Sequence, residues 1–384
     1  MGTDAAKHLI NNGVEVTVGD YSQKSLDLCA ERVKSPKLET LQIDVMNHDA
    51  LVKLLKGGDF DVVINALPYY LIVPALKAEV EAGVNVVDMD FEDELMKIKD
   101  KATEAGVIVV PGAGSAPGLT NMLVGYAANH LDRVERVHIY VGGLPQRPVP
   151  PLEYRVLFNL EGVWYEYTQK ARIVVNGKVE EVDALSGLEL IEFPGVGKFE
   201  AFYTDGLASL LYTFKEKEKL ANVKEMFEKT LRYPGHARKI KTLIECGLLD
   251  TEPLQFKGVK IAPREFLTTL LTPKLELRDE KDMMVMRVKV IGDKGLKHYT
   301  FDLVDYYDEA HKVTSMARTT AYTASIVAQL IGLGKIDDKG IVPPEELGAR
   351  SDIFKLILEK LSKHGIKVKS TYAEISPSFS PTPP

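Results

Sequence analysis

The sequence predicts an α/β protein in two parts, a doubly wound parallel sheet followed by a second, α+β domain. Three observations predict it. The 384 residues make about two domains. The first 125 residues alternate between helical and extended periodicity. Beyond them the strands lengthen and are joined by hairpin-type turns.

Ala5, Ala6, Leu9 and Ile10 share one helical face, ended by Asn12-Gly13. Val14, Val16 and Val18 alternate in a short strand that closes at Gly19-Asp20. A helix over Leu26 to Val33, a strand over Leu38 to Ile43 closing at Asp44, and a helix over Ala50 to Leu55 follow. Val62-Val63-Ile64, after Asp61, is an unbroken apolar run of the kind buried on both faces of a parallel sheet. It closes at Asn65-Ala66-Leu67-Pro68. Two more helix–strand pairs end in strands at Val84 to Val87 and Val107 to Val110. This alternation is a Rossmann-type sheet, whose ligands sit beyond the carboxyl ends of the strands.

A helix through Leu131 leads out of that unit. Val137 to Val141 reads as a strand closed by Gly142-Gly143-Leu144-Pro145. Ala171 to Val175 and Lys178 to Val182 flank the hairpin turn Asn176-Gly177. Helices are expected at Leu207 to Leu211, Leu220 to Thr230 and His236 to Cys246. A strand at Met283 to Ile291 turns at Gly292-Asp293-Lys294-Gly295 and pairs with Lys297 to Val304. Ser315 to Ile331 is an amphipathic helix rich in Ala and Thr. The expected divisions are 1–125 for the parallel-sheet domain, 126–310 for the α+β domain, 311–369 for C-terminal helices packing back on the first domain, and 370–384 for a polar, Ser/Pro-rich disordered tail.

The net charge of −7 is mixed along the chain, which argues against a nucleic-acid or anionic-membrane partner. There is neither an apolar run of membrane-spanning length nor a signal-peptide pattern at the start. Two cysteines, Cys29 and Cys246, lie far from any His or Cys at metal spacing, so free thiols in a reducing, cytoplasmic compartment are expected, and no metal.

A dinucleotide-binding unit opens with a strand, a G-x-G-x-x-G loop and a helix whose N-terminus faces the pyrophosphate. An acid about 20 residues on takes the adenosine ribose hydroxyls. Here Gly2 stands where that loop ends and Asp20 where the acid belongs. The first strand and the earlier glycines are expected to be missing through a misassigned or truncated start. Asp20 is favoured as the ribose ligand over a solvated strand-end Asp, and its charge favours NAD over NADP. Asp44 is placed for adenine, with a cap or turn role equally weighted. Asn65, Ala66, Leu67 and Pro68 let a cofactor approach the sheet edge closely. Asp88 and Asp90, which with strict alternation share one face, are candidates for a general base or an ammonium ligand, or for a helix cap. The Gly112 to Gly118 loop, with Gly114, Pro117 and Gly118, suits backbone approach to nicotinamide or substrate.

Val63 to Pro68, Gly112 to Asn121, Gly142-Gly143-Leu144-Pro145, Thr204-Asp205-Gly206-Leu207 and Arg232-Tyr233-Pro234-Gly235-His236 together resemble the saccharopine dehydrogenase family, within it most the L-lysine 6-dehydrogenase branch. The resemblance runs from Gly2 to about Gly348. It implies an NAD(P)-binding domain joined to a dimerising substrate domain, with hydride moved between an amine-bearing carbon and nicotinamide. For the lysine branch it implies oxidative deamination of the ε-amine to 2-aminoadipate 6-semialdehyde with release of ammonia, by a homodimer or higher homo-oligomer. His236 is then a candidate catalytic group with a pKa in the working range, weighed evenly against a satisfied histidine. Arg232 is a candidate for a substrate carboxylate or a structural ion pair, Asp205 for a helix cap or a substrate contact, and Arg318 for a substrate contact or a domain bridge. The saccharopine-reducing branch carries an acid where this loop has Ala116, which favours the lysine reaction. Saccharopine reduction, or a non-catalytic dimerising remnant, are the alternatives.

Overall fold

The computed structural model describes residues 1–375 and divides into two compact units. In chain order the elements are α1 (Gly2–Asn11), β1 (Val16–Asp20), α2 (Gln23–Val33), β2 (Leu38–Gln42), α3 (His48–Gly57), β3 (Val62–Asn65), α4 (Tyr69–Ala82), β4 (Asn85–Asp88), α5 (Asp93–Met96), α6 (Lys99–Glu104), β5 (Ile108–Val110) and α7 (Leu119–Asn129). Next come β6 (Val134–Pro145), α8 (Leu160–Thr168), β7 (Lys170–Val175), β8 (Lys178–Asp183), β9 (Glu189–Phe193), β10 (Gly197–Tyr203), α9 (Leu210–Glu216), β11 (Glu225–Arg232), α10 (His236–Glu245), β12 (Leu254–Phe256), β13 (Val259–Ile261), α11 (Pro263–Leu275), β14 (Asp282–Gly292) and β15 (Lys297–Tyr306). The chain continues with α12 (Ser315–Gly332), β16 (Gly340–Ile341), α13 (Pro344–Ala349), α14 (Ser351–Lys363) and β17 (Val368–Glu374). None of the described helices is long and apolar enough to cross a membrane.

The first unit comprises Met1–His130, Ala208–Thr213 and Ala317–Lys367. Its strands are all parallel and form two ladders, β1-β2 and β16-β5-β4-β3. The apolar strands fill the four-stranded ladder because both its faces are covered. Ile72, Leu76 and Val80 of α4 pack on Val86, Val107 and Val109, and Leu95, Ala102 and Ile341 close the cluster. Leu51, Val52 and Leu55 of α3 pack with Ala75 and Ala78 of α4. Side-chain oxygens start the helices: Ser22 accepts from Ser25 N–H and Asn47 from Ala50 N–H.

The second unit comprises Leu131–Leu207, Phe214–Met316 and the described residues from Val368 on. It is built on a nine-stranded sheet ordered β17-β15-β14-β6-β11-β10-β9, with β7 beside β11 and β8 beside β7. Only β6 and β11 run parallel; the other pairs are antiparallel. One face carries a core of Tyr154, Trp164, Tyr167, Phe202, Ile240 and Leu275.

Two expectations are corrected. Leu220 to Thr230 is not a helix; from Glu225 it is β11. The strand is buried on both faces from Met226 on, so Glu228, Lys229 and Arg232 lie inside with partners, and the alternation that marks a strand is masked. The expected tail begins in order rather than disorder: Ser370 to Glu374 belong to β17, an exposed polar edge strand paired with β15. Residues 376–384 of that tail lie outside the described residues.

Candidate functional site

In the first unit, β1, β3 and β4 end at Asp20, Asn65 and Asp88. α1 starts at Gly2, where an added Cβ would stand 3.6 Å from Ala66 Cβ, so the free N–H groups of that helix start lie beside the end of β3. Asp20 Oδ1 accepts Ser22 N–H at 2.8 Å, and its second oxygen has no partner among the described residues. A helix start beside the end of β3 and an acid at the end of β1, in the separate β1-β2 ladder, are two of the parts of a dinucleotide site, so these residues fit that share of one. Asp44 is exposed and closes a turn onto Met46 N–H at 2.9 Å, while Asn47 caps α3.

Asn65 Nδ2 donates to Glu79 Oε2 at 3.0 Å and to Asp88 Oδ2 at 3.2 Å. Asp88 is 2% exposed, and its Oδ1 accepts Asp90 N–H at 3.0 Å. Burial pushes the Glu79 carboxyl up to about 7, and burial reinforced by the charges of Asp90 and Glu79 holds Asp88 well above the carboxylate range. The expected shared face of Asp88 and Asp90 does not form. β4 ends at Asp88, the chain bends, and Asp90 turns out to solvent and accepts Phe91 N–H at 2.9 Å. Neither carboxylate caps a helix: among the described residues Asp88 and Asp90 bond only the amides just named, and α5 starts at Asp93 with no side-chain cap.

The Gly112 to Gly118 loop is folded onto this strand end. Gly112 N–H donates to Asp90 O at 2.9 Å and Ala113 N–H to Asp88 O at 2.6 Å. A Cβ at Gly114 would meet Met89 O at 2.9 Å, and one at Gly118, with φ +125, would meet Gly114 O at 2.1 Å. Pro117 packs on Gly112. The glycines are thus required by the loop's own packing. α7, which follows the loop, is held through Asn121, which shares Glu345 with Ser209 and Thr213; these hydroxyls donate to Glu345 at 2.8 and 2.6 Å. Arg318, 8% exposed on α12, places its guanidinium near Gly365.

The second unit holds a buried polar network. Arg232 Nε donates to Tyr167 Oη at 2.7 Å, and Arg232 Nη1 to Leu231 O at 2.9 Å. Arg232 Nη2 lies 3.5 Å from Glu166, and the guanidinium stacks 4.6 Å over the Tyr154 ring. His236 is fully buried, with Nδ1 2.7 Å from Leu152 O and Nε2 3.0 Å from Tyr167 Oη. Burial and the neighbouring Arg232 charge push His236 down to about 3, so the expectation of a pKa in the working range is overturned. Arg232 itself is 3% exposed, with Nε and Nη1 hydrogen-bonded and Nη2 beside Glu166, which matches the ion-pair alternative. Asp205 grips Arg172 in a fork, with Arg172 Nη2 at 2.8 Å, and accepts Arg172 N–H at 3.0 Å. It caps no helix, since α9 starts only at Leu210. Gly206 is explained by Glu228, whose carboxyl would lie 2.7 Å from a Cβ there; Thr204 donates to the same carboxyl at 2.5 Å.

Sequence reasoning missed Glu79, Glu166, Tyr167, Glu228 and Glu345. Glu79 had a readable signal, since Ile72, Leu76 and Glu79 recur at helical spacing on one apolar face. The others come together only through strand and helix packing.

Two domain models match the chain: Saccharopine dehydrogenase NADP binding domain over residues 2–110 and Saccharopine dehydrogenase C-terminal domain over residues 114–366. Carboxyaminopropylagmatine dehydrogenase of a Synechocystis species is 28% identical over 367 residues, covering 89% of this chain and 88% of that protein. Mouse mitochondrial alpha-aminoadipic semialdehyde synthase is 24% identical over 435 residues, covering 93% of this chain but 45% of that protein. Among solved structures, apo saccharopine dehydrogenase (L-Glu forming) from Saccharomyces cerevisiae has the same fold, with a TM-score of 0.77, 21% identity and coverage of 97% of this chain and 96% of that one.

Proposed function

The chain belongs to the saccharopine dehydrogenase family of NAD(P) oxidoreductases, and from that premise we propose that it oxidises an amino-acid amine, the ε-amine of L-lysine, with NAD. The observation that carries the cofactor assignment is the start of α1 at Gly2 against Ala66, with a carboxylate, Asp20, ending β1. The family model is described by NADP, but an Asp20 carboxylate repels a 2′-phosphate, which supports NAD here. Ala116, in the slot that is acidic in the saccharopine-reducing branch, supports the primary amine.

Lysine, NAD⁺ and water give the semialdehyde, NADH, ammonium and one proton. The amine must be neutral for hydride to leave, so alkaline pH favours the forward reaction. The nicotinamide, when bound, is the electron sink. Asp20 orients the ribose, and the start of α1 takes the pyrophosphate. Asp88, its carboxyl held above the ordinary range by burial, accepts from Asn65, and Tyr167 and His236 keep Arg232 in place. A homodimer is the assembly proposed with it.

A second reading, oxidation of saccharopine with release of glutamate, is supported by the likeness to the glutamate-forming saccharopine dehydrogenase of Saccharomyces cerevisiae. Purified protein offered lysine or saccharopine at alkaline pH, with NAD or NADP, separates the two. Nicotinamide reduction with ammonia release from lysine supports the first, and glutamate from saccharopine supports the second. No reduction with either substrate and either nucleotide sinks both.

A further inference from the structure

Asn65 ends β3 with its side chain buried and its amide hydrogens committed to Glu79 and Asp88 at 3.0 and 3.2 Å. With the nitrogen donating to both carboxyl groups, the amide oxygen faces away. That oxygen accepts no hydrogen bond among the described residues. Glu79 itself sits on α4 among Ile72, Leu76 and Val80, where an apolar side chain would bury without the cost of desolvating a carboxyl.

We propose that Glu79 is a positioning residue: by holding the Asn65 amide it presents Asn65 Oδ1 as a fixed acceptor for an N–H or O–H group of the dinucleotide. The inference rests on the dinucleotide reading of this edge. Asn65 reaches the ligand, and Glu79 acts only through Asn65. The titratable groups acting on the pair are Glu79 and Asp88 themselves and Asp90 beyond β4. Glu79 ionises as pH rises through about 7, and its bond to Asn65 then becomes charge-assisted and stronger.

The test is NADH affinity by calorimetry for the full chain and for Glu79→Leu, Glu79→Gln, Asn65→Ala and the Glu79→Leu/Asn65→Ala double variant, each checked for folding by thermal melting. Glu79→Leu and Asn65→Ala should each weaken NADH by about 3- to 10-fold, the loss of one hydrogen bond. Glu79→Gln, which keeps an acceptor for the amide, should stay within about twofold of wild type. In the double variant Glu79→Leu should cost nothing beyond Asn65→Ala, because its effect passes through that residue. Wild-type affinity should rise between about pH 6 and about pH 8, and that of Glu79→Gln should not. Undiminished NADH binding by Glu79→Leu, full additivity in the double variant, or the same pH slope in wild type and Glu79→Gln overturns the proposal. Wild-type protein that binds neither NADH nor NADPH overturns the dinucleotide reading and this inference together.

Discussion

Tyr167 Oη lies 3.0 Å from His236 Nε2 while the other ring nitrogen of His236 lies 2.7 Å from the Leu152 carbonyl. These contacts fix the protons. A carbonyl only accepts, so Nδ1 carries the hydrogen. The neutral ring then accepts at Nε2 from the Tyr167 hydroxyl, whose oxygen in turn accepts from Arg232 Nε.

This makes His236 a stability element with a defined pH signature. Its folded pKa, about 3, lies below the ordinary value of 6.5, so the folded state binds fewer protons between the two. The stability it contributes is full above pH 6.5 and is lost as pH falls toward about 3, at up to roughly 1.4 kcal/mol per pH unit. Denaturant unfolding at neutral and acid pH should show His236→Gln less stable than wild type at neutral pH, with the gap closing in acid. A gap that widens in acid would refute the neutral-ring assignment.

Asp20 predicts nucleotide choice. A carboxylate bonded to the ribose hydroxyls is worth about 1.5–3 kcal/mol, so Asp20→Asn should weaken NADH by roughly 10- to 100-fold. It should also narrow the preference over NADPH, because the charge that repels a 2′-phosphate is gone. Titration of both nucleotides against both proteins measures this. An unchanged NADH/NADPH ratio would remove Asp20 from the cofactor site.

The strand ends of the parallel sheet were legible because each is an apolar run cut by a polar or small residue: Asp20, Asn65 and Asp88 fall where the strands stop. The inner network was not legible. Glu228 falls in the stretch expected as the helix Leu220 to Thr230, whereas β11 places it and Arg232 inside the sheet, and Tyr167 meets His236 from 69 residues away. Asp88 and Asp90 misled because alternation holds only while a strand continues, and β4 stops at the first of them.

Asp205 should be dispensable for substrate. Its fork with Arg172 is partly exposed, 28% on the Asp side and 24% on the Arg side, so the pair is worth at most about 1 kcal/mol. Asp205→Asn and Arg172→Met should each leave KM within about twofold and lower stability by no more than that amount. A tenfold rise in KM for Asp205→Asn with KM unmoved in Arg172→Met would return Asp205 to the list of substrate ligands.

Gly125 predicts how tightly α7 and α13 are seated. Replacing a helical glycine by alanine normally stabilises by about 0.5–1 kcal/mol, through backbone entropy. At Gly125 the added Cβ would lie 1.9 Å from the Glu345 carbonyl oxygen, and the obstacle is backbone that no rotamer change can clear. The same closeness recurs where a Cβ at Gly348 would approach Met122 O at 1.9 Å. Forcing the helices apart costs about 1–3 kcal/mol or more and would pull Glu345 from Ser209 and Thr213. The steric cost wins, so Gly125→Ala should lower the melting temperature. Gly57→Ala, at the end of α3 with nothing near its added Cβ, should hold or raise it. Equal melting temperatures for Gly125→Ala and wild type would mean that α13 can slide on α7 without loss, contrary to the interlocked glycine contacts.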